Sequence, residues 1–114
     1  MTKELTVDNG GLRYNPGKLR WDLLPLPVVE EVLKVYAKGA EKYEPWNWYR
    51  GFPYSTSYNS GQRHKAAWWQ GEDFDKETGL HHLAHCIVND MFNLTFQLEG
   101  RKDLDDRIRF KIQK

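Results

Sequence analysis

The stretch LHHLAHCIVNDMFNLTFQL, from Leu80 to Leu98, is the clearest helical segment of the sequence. Its apolar residues recur every three or four positions, as they do along one face of an α-helix. Seven of them form one such stripe: Leu80, Leu83, Ala84, Ile87, Met91, Leu94 and Leu98. Gly100 follows as a stop signal. We therefore predict a helix that buries this stripe in a helical core.

A second face of this predicted helix carries histidine and asparagine, where a solvated face normally carries lysine and glutamate. His82 and His85 are three residues apart and Asn89 follows four residues later, so the three side chains can point toward one spot. All four histidines of the chain lie between Arg63 and Asn89: His64, His81, His82 and His85. A single histidine would be an ordinary core or surface residue, but this grouping indicates a functional site.

An acidic turn precedes the histidine-rich helix and contains Glu72, Asp73, Asp75 and Glu77. Histidine and carboxylate side chains ligate divalent metals and transfer protons near neutral pH. Carboxylates suit Mg²⁺ or Mn²⁺, and such ions help water to attack a phosphoanhydride by neutralising developing charge. Either Asp75 or Thr78 is expected to cap the helix that follows.

Two further helices are predicted upstream. Pro25 and Pro27 mark the start of the first, whose apolar residues repeat at helical spacing as far as Tyr43: Val28, Val29, Val32, Val35, Tyr36 and Ala40. Glu30 and Glu31 fall on the opposite, solvated face, which argues against a pair of metal ligands. The second helix covers about residues 56–71 and ends at Gly71.

Residues 1–22 show no periodicity and are expected to form an irregular arm. Near its end, Arg13, Lys18 and Arg20 surround a predicted Asn15-Pro16-Gly17 turn. Charged donors and turn amides that point one way suit phosphate groups. The alternative is an ordinary solvated loop.

The segment between the first two helices contains the aromatic sequence Trp46-Asn47-Trp48, with Pro45, Gly51 and Pro53 as helix breakers. An asparagine amide can read a base edge, and an aromatic face can stack on a base. This loop is therefore a candidate wall of a nucleobase pocket. The competing interpretation is a loop held on the core by its tryptophans.

The composition points to one soluble domain of 114 residues. Its 17 basic and 16 acidic residues give a net charge of +1, which does not call for a nucleic acid polymer or a membrane as partner. A single cysteine, Cys86, favours a reducing compartment such as the cytoplasm, and no membrane span or signal peptide is expected. The closing segment, residues 100–114, is expected to be a short helix or an arm on another subunit.

Several blocks of the sequence resemble a small phage-associated family, the N-terminal domains of dATP/dGTP diphosphohydrolases. The resemblance covers about residues 12–98. The matching blocks are R-Y-N-x-G-K-x-R-x-D-L-L-P from Arg13 to Pro25, G-A-x-K-Y from Gly39 to Tyr43 with Asn47-Trp48, Arg63-His64, G-E-x-x-D-x-E-x-G from Gly71 to Gly79, and H-L-A-H with its asparagine from His82 to Asn89.

This resemblance implies kinship with MazG-like nucleotide pyrophosphohydrolases, which are all-α, oligomeric and Mg²⁺-dependent. They cleave a nucleoside triphosphate to a monophosphate and pyrophosphate. Of their two motifs, E-x-x-D is matched by Glu72 and Asp75, whereas E-x-x-E is absent. Either the histidines replace the missing carboxylates or the metal site is incomplete.

Together these observations predict an all-α bundle of three to four helices with long aromatic-rich loops, assembled as a homo-oligomer in the cytoplasm of a phage-infected bacterium. We expect it to hydrolyse a purine (d)NTP, with dATP and dGTP as candidates. The expected catalytic residues are Glu72, Asp75, His64 and His85. The expected ligands of Mg²⁺ (or Mn²⁺) are Glu72, Asp75, Glu77, His82 and His85. The expected substrate-binding residues are Arg13, Lys18, Arg20, Lys42, Asn47, Trp48, Arg63 and Asn89.

Two other functions are compatible with the same sequence. The first is a phage protein that binds a nucleotide signal without hydrolysing it, which keeps the basic and aromatic loops but needs no metal. The second is a helical protein whose histidine-rich face binds a partner.

Overall fold

The computed structural model describes residues 5–8 and 10–112. Three α-helices form the body of this part of the chain: α1 (Leu26–Lys42), α2 (Tyr54–Trp69) and α3 (His82–Leu98). The helix α3 packs against both α1 and α2 and is therefore the centre of the bundle. The predicted all-α fold is confirmed. None of the helices described is long and apolar enough to span a membrane.

A short hairpin precedes the helices, and it corrects the prediction of an irregular arm over residues 1–22. Strand β1 (Leu5–Asp8) pairs with β2 (Gly11–Tyr14) in antiparallel register. The sequence carries an Asn-Gly pair at positions 9 and 10, a strong hairpin signal, and Gly10 has the positive φ of 87° that glycine favours. Residues 1–4 and 9 lie outside the described part. The predicted turn before Lys18 is confirmed by a hydrogen bond from its N–H to the Asn15 carbonyl.

The first two helices agree with their predicted extents. Helix α1 follows Pro25 and buries Val32 and Val35, although Val28, predicted in the same stripe, is exposed. On the opposite side, Glu31 pairs with Lys34, as a solvated face would. Helix α2 begins two residues before the predicted start and ends at Trp69, before Gly71.

Helix α3 buries a different face from the one predicted. Its buried residues are His82, Ala84, Cys86, Val88 and Phe96, whereas Ile87, Met91, Leu94 and Leu98 from the predicted stripe are exposed. The physical reason is that α2 covers the histidine-bearing side of α3 and α1 covers the next side. Periodicity identifies an apolar face, but the positions of the neighbouring helices decide which face is covered.

The cap of α3 also differs from the prediction. The ring of His81 occupies the N-cap position, where its Nδ1 accepts a hydrogen bond from the Leu83 N–H. Asp75 instead accepts from the N–H of Thr78 within the acidic turn. This hydrogen bond lies within the turn, so Asp75 does not cap α3.

Among the residues whose side chains are described, two apolar clusters form the core. The first joins α1 to α3 through Val32, Val35, Ala84 and Val88, and the second consists of Tyr54, Phe96 and Leu104. Phe92 packs against both clusters. Leu104 belongs to a short 3₁₀ helix (Lys102–Leu104), so the closing segment begins by packing on its own bundle. Beyond it, Ile108, Phe110 and Ile112 are exposed.

Candidate functional site

Helices α2 and α3 bring three of the four histidines together. The Nδ1 atoms of His64 and His82 lie 2.8 Å apart. His85, one turn after His82, stacks on the His64 ring with 4.2 Å between the centroids and 3° between the planes. The i, i+3 spacing on α3 makes this contact possible, because both rings then face α2. The structure therefore groups three of the four histidines as predicted. His81 is not part of the group, because its side chain caps α3.

A carboxylate holds the buried member of this group. Nε2 of His82, a residue with 3% of its surface exposed, lies 2.7 Å from Oε1 of Glu72. This hydrogen bond is the main factor that lowers the pKa of Glu72, so the carboxylate is ionised at neutral pH and can only accept. Nε2 of His82 must then donate this hydrogen bond, and in the neutral ring that tautomer has its lone pair on Nδ1, toward His64.

The acidic turn supplies a second carboxylate and a hydroxyl. Asp75 Oδ2 accepts from Thr78 N–H at 2.9 Å, and Thr78 Oγ1 lies 2.8 Å from Nε2 of His85. The turn is fixed to the start of α3 by backbone bonds from Asp75 N to Leu80 O and from His82 N to Asp73 O. Asp75, Thr78 and His85 therefore have defined positions relative to one another.

The protonation states favour neutral rings beside an ionised carboxylate. Burial lowers the pKa of His64, with a further contribution from His85, and burial also lowers the pKa of His85. For Asp75, burial acts to raise the pKa, but hydrogen bonds from Thr78 and the nearby rings outweigh it, so the pKa is lowered. At pH 7 the cluster thus offers imidazole lone pairs and a negative charge, as a cation site requires.

The donor atoms of His64, Asp75 and His82 all lie within 4.8 Å of one another. Two ring nitrogens with one carboxylate suit Mn²⁺ and the later first-row transition metals. They do not fit Mg²⁺, which prefers oxygen ligands in a near-ideal octahedron. Two of the expected carboxylate ligands are engaged elsewhere, since Glu72 holds His82 and Glu77 lies 3.6 Å from the Lys42 ammonium group.

One wide cleft, of about 1440 Å³, borders this cluster. Its walls are the second half of α1, the aromatic loop after it, and the facing sides of α2 and α3. His64, Asp75 and His85 line it, together with Glu77 and Thr78. The cleft therefore connects the histidine cluster with the aromatic loop in a single space.

The two tryptophans of the aromatic loop differ in how far they are packed against the core. Trp48 stacks on Phe92 with ring centroids 4.8 Å apart, which matches the competing interpretation of a loop held on the core. Trp46 has 69% of its surface exposed and adopts a positive φ of 66°, a conformation rare outside glycine. Both tryptophans and Asn47 line the cleft. Trp46, whose ring neighbours are Trp48 and Tyr49, is the more exposed of the two tryptophans.

The other predicted substrate-binding residues are spread over the molecule. Lys42 and Asn89 line the cleft, with the Asn89 amide donating to Ser60 and to the His85 carbonyl. Arg63 is exposed and does not line the cleft.

The predicted basic loop is also separate from the cleft lining. Its cationic residues are exposed: Arg13, Lys18 and Arg20. Arg20 pairs with Asp22 at 2.7 Å. The sequence predicts that the basic loop and the histidine cluster belong to one site, but the basic loop does not line the cleft beside that cluster.

Two side chains in the site were missed by sequence reasoning. Thr78 was considered only as a helix cap, although its hydroxyl contacts His85. The sequence places Trp46 in the aromatic loop, but the expected base-binding residues there are Asn47 and Trp48 and do not include Trp46. Neither residue has a distinctive sequence signal, because both owe their place to the path of a loop.

The fold and site define a small helical domain with a histidine–carboxylate cluster beside an open, aromatic-lined cleft. Residues 8–107 match the family described as dATP/dGTP diphosphohydrolase, N-terminal. A protein of Salmonella phage PMBT28 named dATP/dGTP diphosphohydrolase is 35% identical over 97 residues, which cover 85% of this chain and 33% of that protein. The chain belongs to this dATP/dGTP diphosphohydrolase N-terminal family.

The chain spans about a third of the length of the curated relative that it matches. No solved structure shows significant similarity to it.

Proposed function

We propose that this chain binds a purine (d)NTP in the cleft and hydrolyses it to (d)NMP and pyrophosphate, with dATP and dGTP as the first candidates. The observation that carries this proposal is the continuity of the cleft from Trp46 to His85 and Asp75. A stacking surface for a base and a polar cluster for phosphate chemistry then share one space. The name of the phage relative supplies the substrate class.

The aromatic end of the cleft would hold the base. The exposed indole of Trp46 can stack on a purine, whereas Trp48 supports it from the core side, with 5.6 Å between their ring centroids. Asn47 lines the cleft between them and has both a donor and an acceptor for a base edge.

The triphosphate would extend toward the histidine cluster. Lys42 lines this part of the cleft, and its ammonium group lies 3.6 Å from exposed Glu77. An exposed ion pair of this kind is weak, so a phosphate can replace the glutamate. The exposed Arg13, Lys18, Arg20 and Arg63 do not line the cleft, so Lys42 is the cation that we assign to the triphosphate.

His85 is the best-placed proton acceptor for the attacking water. Burial lowers its pKa, so that its ring is neutral at pH 7, and Thr78 and His64 fix its orientation. Water would attack the α-phosphorus, its proton would pass to His85, and the bond to the α,β-bridging oxygen would break to release pyrophosphate. A divalent cation on the cluster would neutralise the charge that develops on the phosphates.

The test is pyrophosphate release from dATP, dGTP and ATP, combined with calorimetric titration of each nucleotide. His85→Gln should lower kcat by about 10²- to 10⁴-fold, the usual contribution of a general base, while nucleotide binding persists. His81→Asn removes a neighbouring imidazole but keeps a helix-capping side chain, and should leave kcat unchanged. Equal rates for wild type and His85→Gln would reject the assignment.

A second candidate is nucleotide binding without hydrolysis. It is favoured by one observation: the activity in the relative's name belongs to a protein of which this chain covers 33%. Tight nucleotide binding with no pyrophosphate release in the presence of any of the metal ions would support it. Absence of nucleotide binding would leave the partner-binding interpretation.

We also propose a homo-oligomer, formed through the uncovered apolar side of α3. Its exposed side chains are Ile87, Met91, Leu94 and Leu98, which form a row at helical spacing. Light scattering after gel filtration should show more than one copy, and Leu94→Glu should shift the protein to monomer. Leu19→Glu, at an exposed leucine of the N-terminal region, is the matched control.

A further inference from the structure

We propose that His64, His82 and Asp75, with Glu72 behind His82, form a nitrogen-rich centre for a first-row transition-metal ion such as Mn²⁺, Co²⁺ or Zn²⁺. This deepens the proposed function, on which it rests in taking the cluster as the ionic part of the cleft. Its test uses the ion alone.

The contacts of His82 are those of a metal-ligating histidine. Such residues donate their second ring N–H to a carboxylate or carbonyl, which fixes the tautomer and raises the basicity of the ligating nitrogen. His82 is almost fully buried and its Nε2 is held by Glu72 at 2.7 Å. Its Nδ1 is therefore the ligating atom, and it faces His64 rather than solvent.

The spacing of the donors fits one ion. Zn²⁺ binds histidine nitrogen at about 2.0–2.1 Å, so two ligands of one ion lie within about 4.2 Å of each other. The donors of His64, Asp75 and His82 lie within 4.8 Å, and the closest pair, the two Nδ1 atoms, are 2.8 Å apart. A pair at the 4.8 Å limit would have to come closer by about 0.6 Å or more for all three residues to bind one ion.

A purely structural role is the competing explanation. In that explanation, a hydrogen bond between His64 and His82 completes a row of hydrogen bonds from Glu72 to α2, called the strut below. The strut explains the hydrogen bonds of the rings, and Asp75 orders the acidic turn through Thr78 in either explanation. The Asp75 carboxylate also lies within 4.8 Å of both rings, where a bound ion would give it a second contact. A strut also predicts no ion binding, so the two explanations differ in a direct measurement.

The choice of ion follows from the ligands. For a site with nitrogen donors, affinity rises from Mn²⁺ through Co²⁺ to the later metals, whereas Mg²⁺ gives up its water shell reluctantly and prefers oxygen. We expect metal-free protein to bind one Co²⁺ or Zn²⁺ and to bind Mn²⁺ at least about 100-fold more tightly than Mg²⁺.

The experiment is titration of chelator-treated protein with Mn²⁺, Co²⁺, Zn²⁺ and Mg²⁺ by calorimetry, with the visible spectrum of Co²⁺ as a second readout. His64→Gln and Asp75→Asn should each weaken Co²⁺ binding by more than about 100-fold, because losing even an outer partner costs about 10- to 100-fold. His81→Asn is the matched control and should bind normally.

Two results would overturn the proposal. One is Mg²⁺ binding as tight as Mn²⁺ binding, and the other is Co²⁺ binding that survives in both His64→Gln and Asp75→Asn. Circular dichroism shows whether these variants are folded. If they are unfolded, the visible absorption spectrum of Co²⁺ with wild-type protein is the deciding measurement, because nitrogen ligation changes its bands. A Co²⁺ spectrum identical to that of the ion in water would reject the site. If the protein binds the ion but releases no pyrophosphate, the proposed hydrolysis is rejected and the metal site stands. If Mg²⁺ supports pyrophosphate release but no transition metal binds, the metal site is rejected and the hydrolysis stands.

Discussion

Nδ1 of His64 lies 2.8 Å from Nδ1 of His82, although the two residues are on different helices and 18 positions apart. Each ring of the pair makes a further contact with a different part of the site. Glu72 holds the far side of the His82 ring, and His85 stacks on the far side of His64. The pair therefore ties α2, α3 and the acidic turn into one unit.

The first prediction concerns Glu72 as a positioning residue. Glu72→Gln keeps the size of the side chain but removes the charge that holds His82 on Nε2. Co²⁺ affinity should fall by about 10- to 100-fold, with the visible spectrum of the saturated complex retained, because the direct ligands are unchanged. Asp73→Asn, at an exposed carboxylate of the same turn, should have no effect. A saturated spectrum that changes in Glu72→Gln would instead make Glu72 a direct ligand.

The second prediction is the pH dependence of stability in metal-free protein. The folded-state pKa values of His64 and His85 are lowered, chiefly by burial, while the unfolded chain titrates near 6.5. Below pH 6.5 the unfolded chain takes up protons that the folded chain does not, so the free energy of unfolding falls. The melting temperature should be constant between pH 7 and 8 and lower at pH 5.5, with no contribution yet from the carboxylates.

This dependence should weaken in His64→Gln and persist in His81→Asn. The measurement is thermal melting followed by circular dichroism in the presence of a chelator at pH 7.5, 6.5 and 5.5. A melting temperature that rises on acidification in the wild type would contradict the burial of these rings.

The third prediction separates the two tryptophan roles. Trp46→Ala should raise the nucleotide Kd by about 5- to 150-fold, which corresponds to 1–3 kcal/mol for a base–aromatic stack, with little change in melting temperature. Trp69→Ala removes an indole that is 80% exposed and outside the cleft, and should leave binding unchanged. Calorimetric titration with dATP and dGTP measures the Kd of both variants. Equal Kd values for Trp46→Ala and Trp69→Ala would show that Trp46 does not bind the base.

The fourth prediction tests which face of α3 forms the core. Phe96 is 1% exposed and Leu98, in the stripe suggested by periodicity, is 78% exposed. Phe96→Ala should lower the free energy of unfolding by about 3–5 kcal/mol, and Leu98→Ala by less than about 0.5 kcal/mol. Urea denaturation at a concentration where the protein is monomeric gives both values. If Leu98→Ala lowered the free energy of unfolding more than Phe96→Ala, the face predicted from periodicity would be the one that forms the core.

Local sequence signals predicted the helices well. The relevant signals are Pro25 and Pro27 at the start of α1, the 3.6-residue periodicity of α1 and α3, and Gly100 after α3. They act within one or two turns of the chain, so their effects can be read without knowing the neighbours. The grouping of His82, His85 and Asn89 on one side of α3 has the same origin. The Asn-Gly pair of the N-terminal hairpin is also a local signal, and it was overlooked.

Interpretations that depended on a neighbour were less successful. Trp46 and Trp48 are equivalent in sequence, but Phe92 lies beneath only Trp48 in the stack, leaving Trp46 exposed. Glu72 and Asp75 are equivalent as carboxylates, but His82 engages the first, whereas the second accepts from Thr78.

The sequence by itself determined that this protein is an α-helical domain of the diphosphohydrolase N-terminal family, with histidines and carboxylates concentrated around one turn. Only the tertiary structure decided that α2 covers the polar side of α3, that His64 meets His82, and that the basic loop lies outside the cleft lining. The physical reason is that helix formation depends on backbone hydrogen bonds and contacts within a few residues. The covered face depends instead on how three helices exclude water together, and residues far apart in the chain decide that.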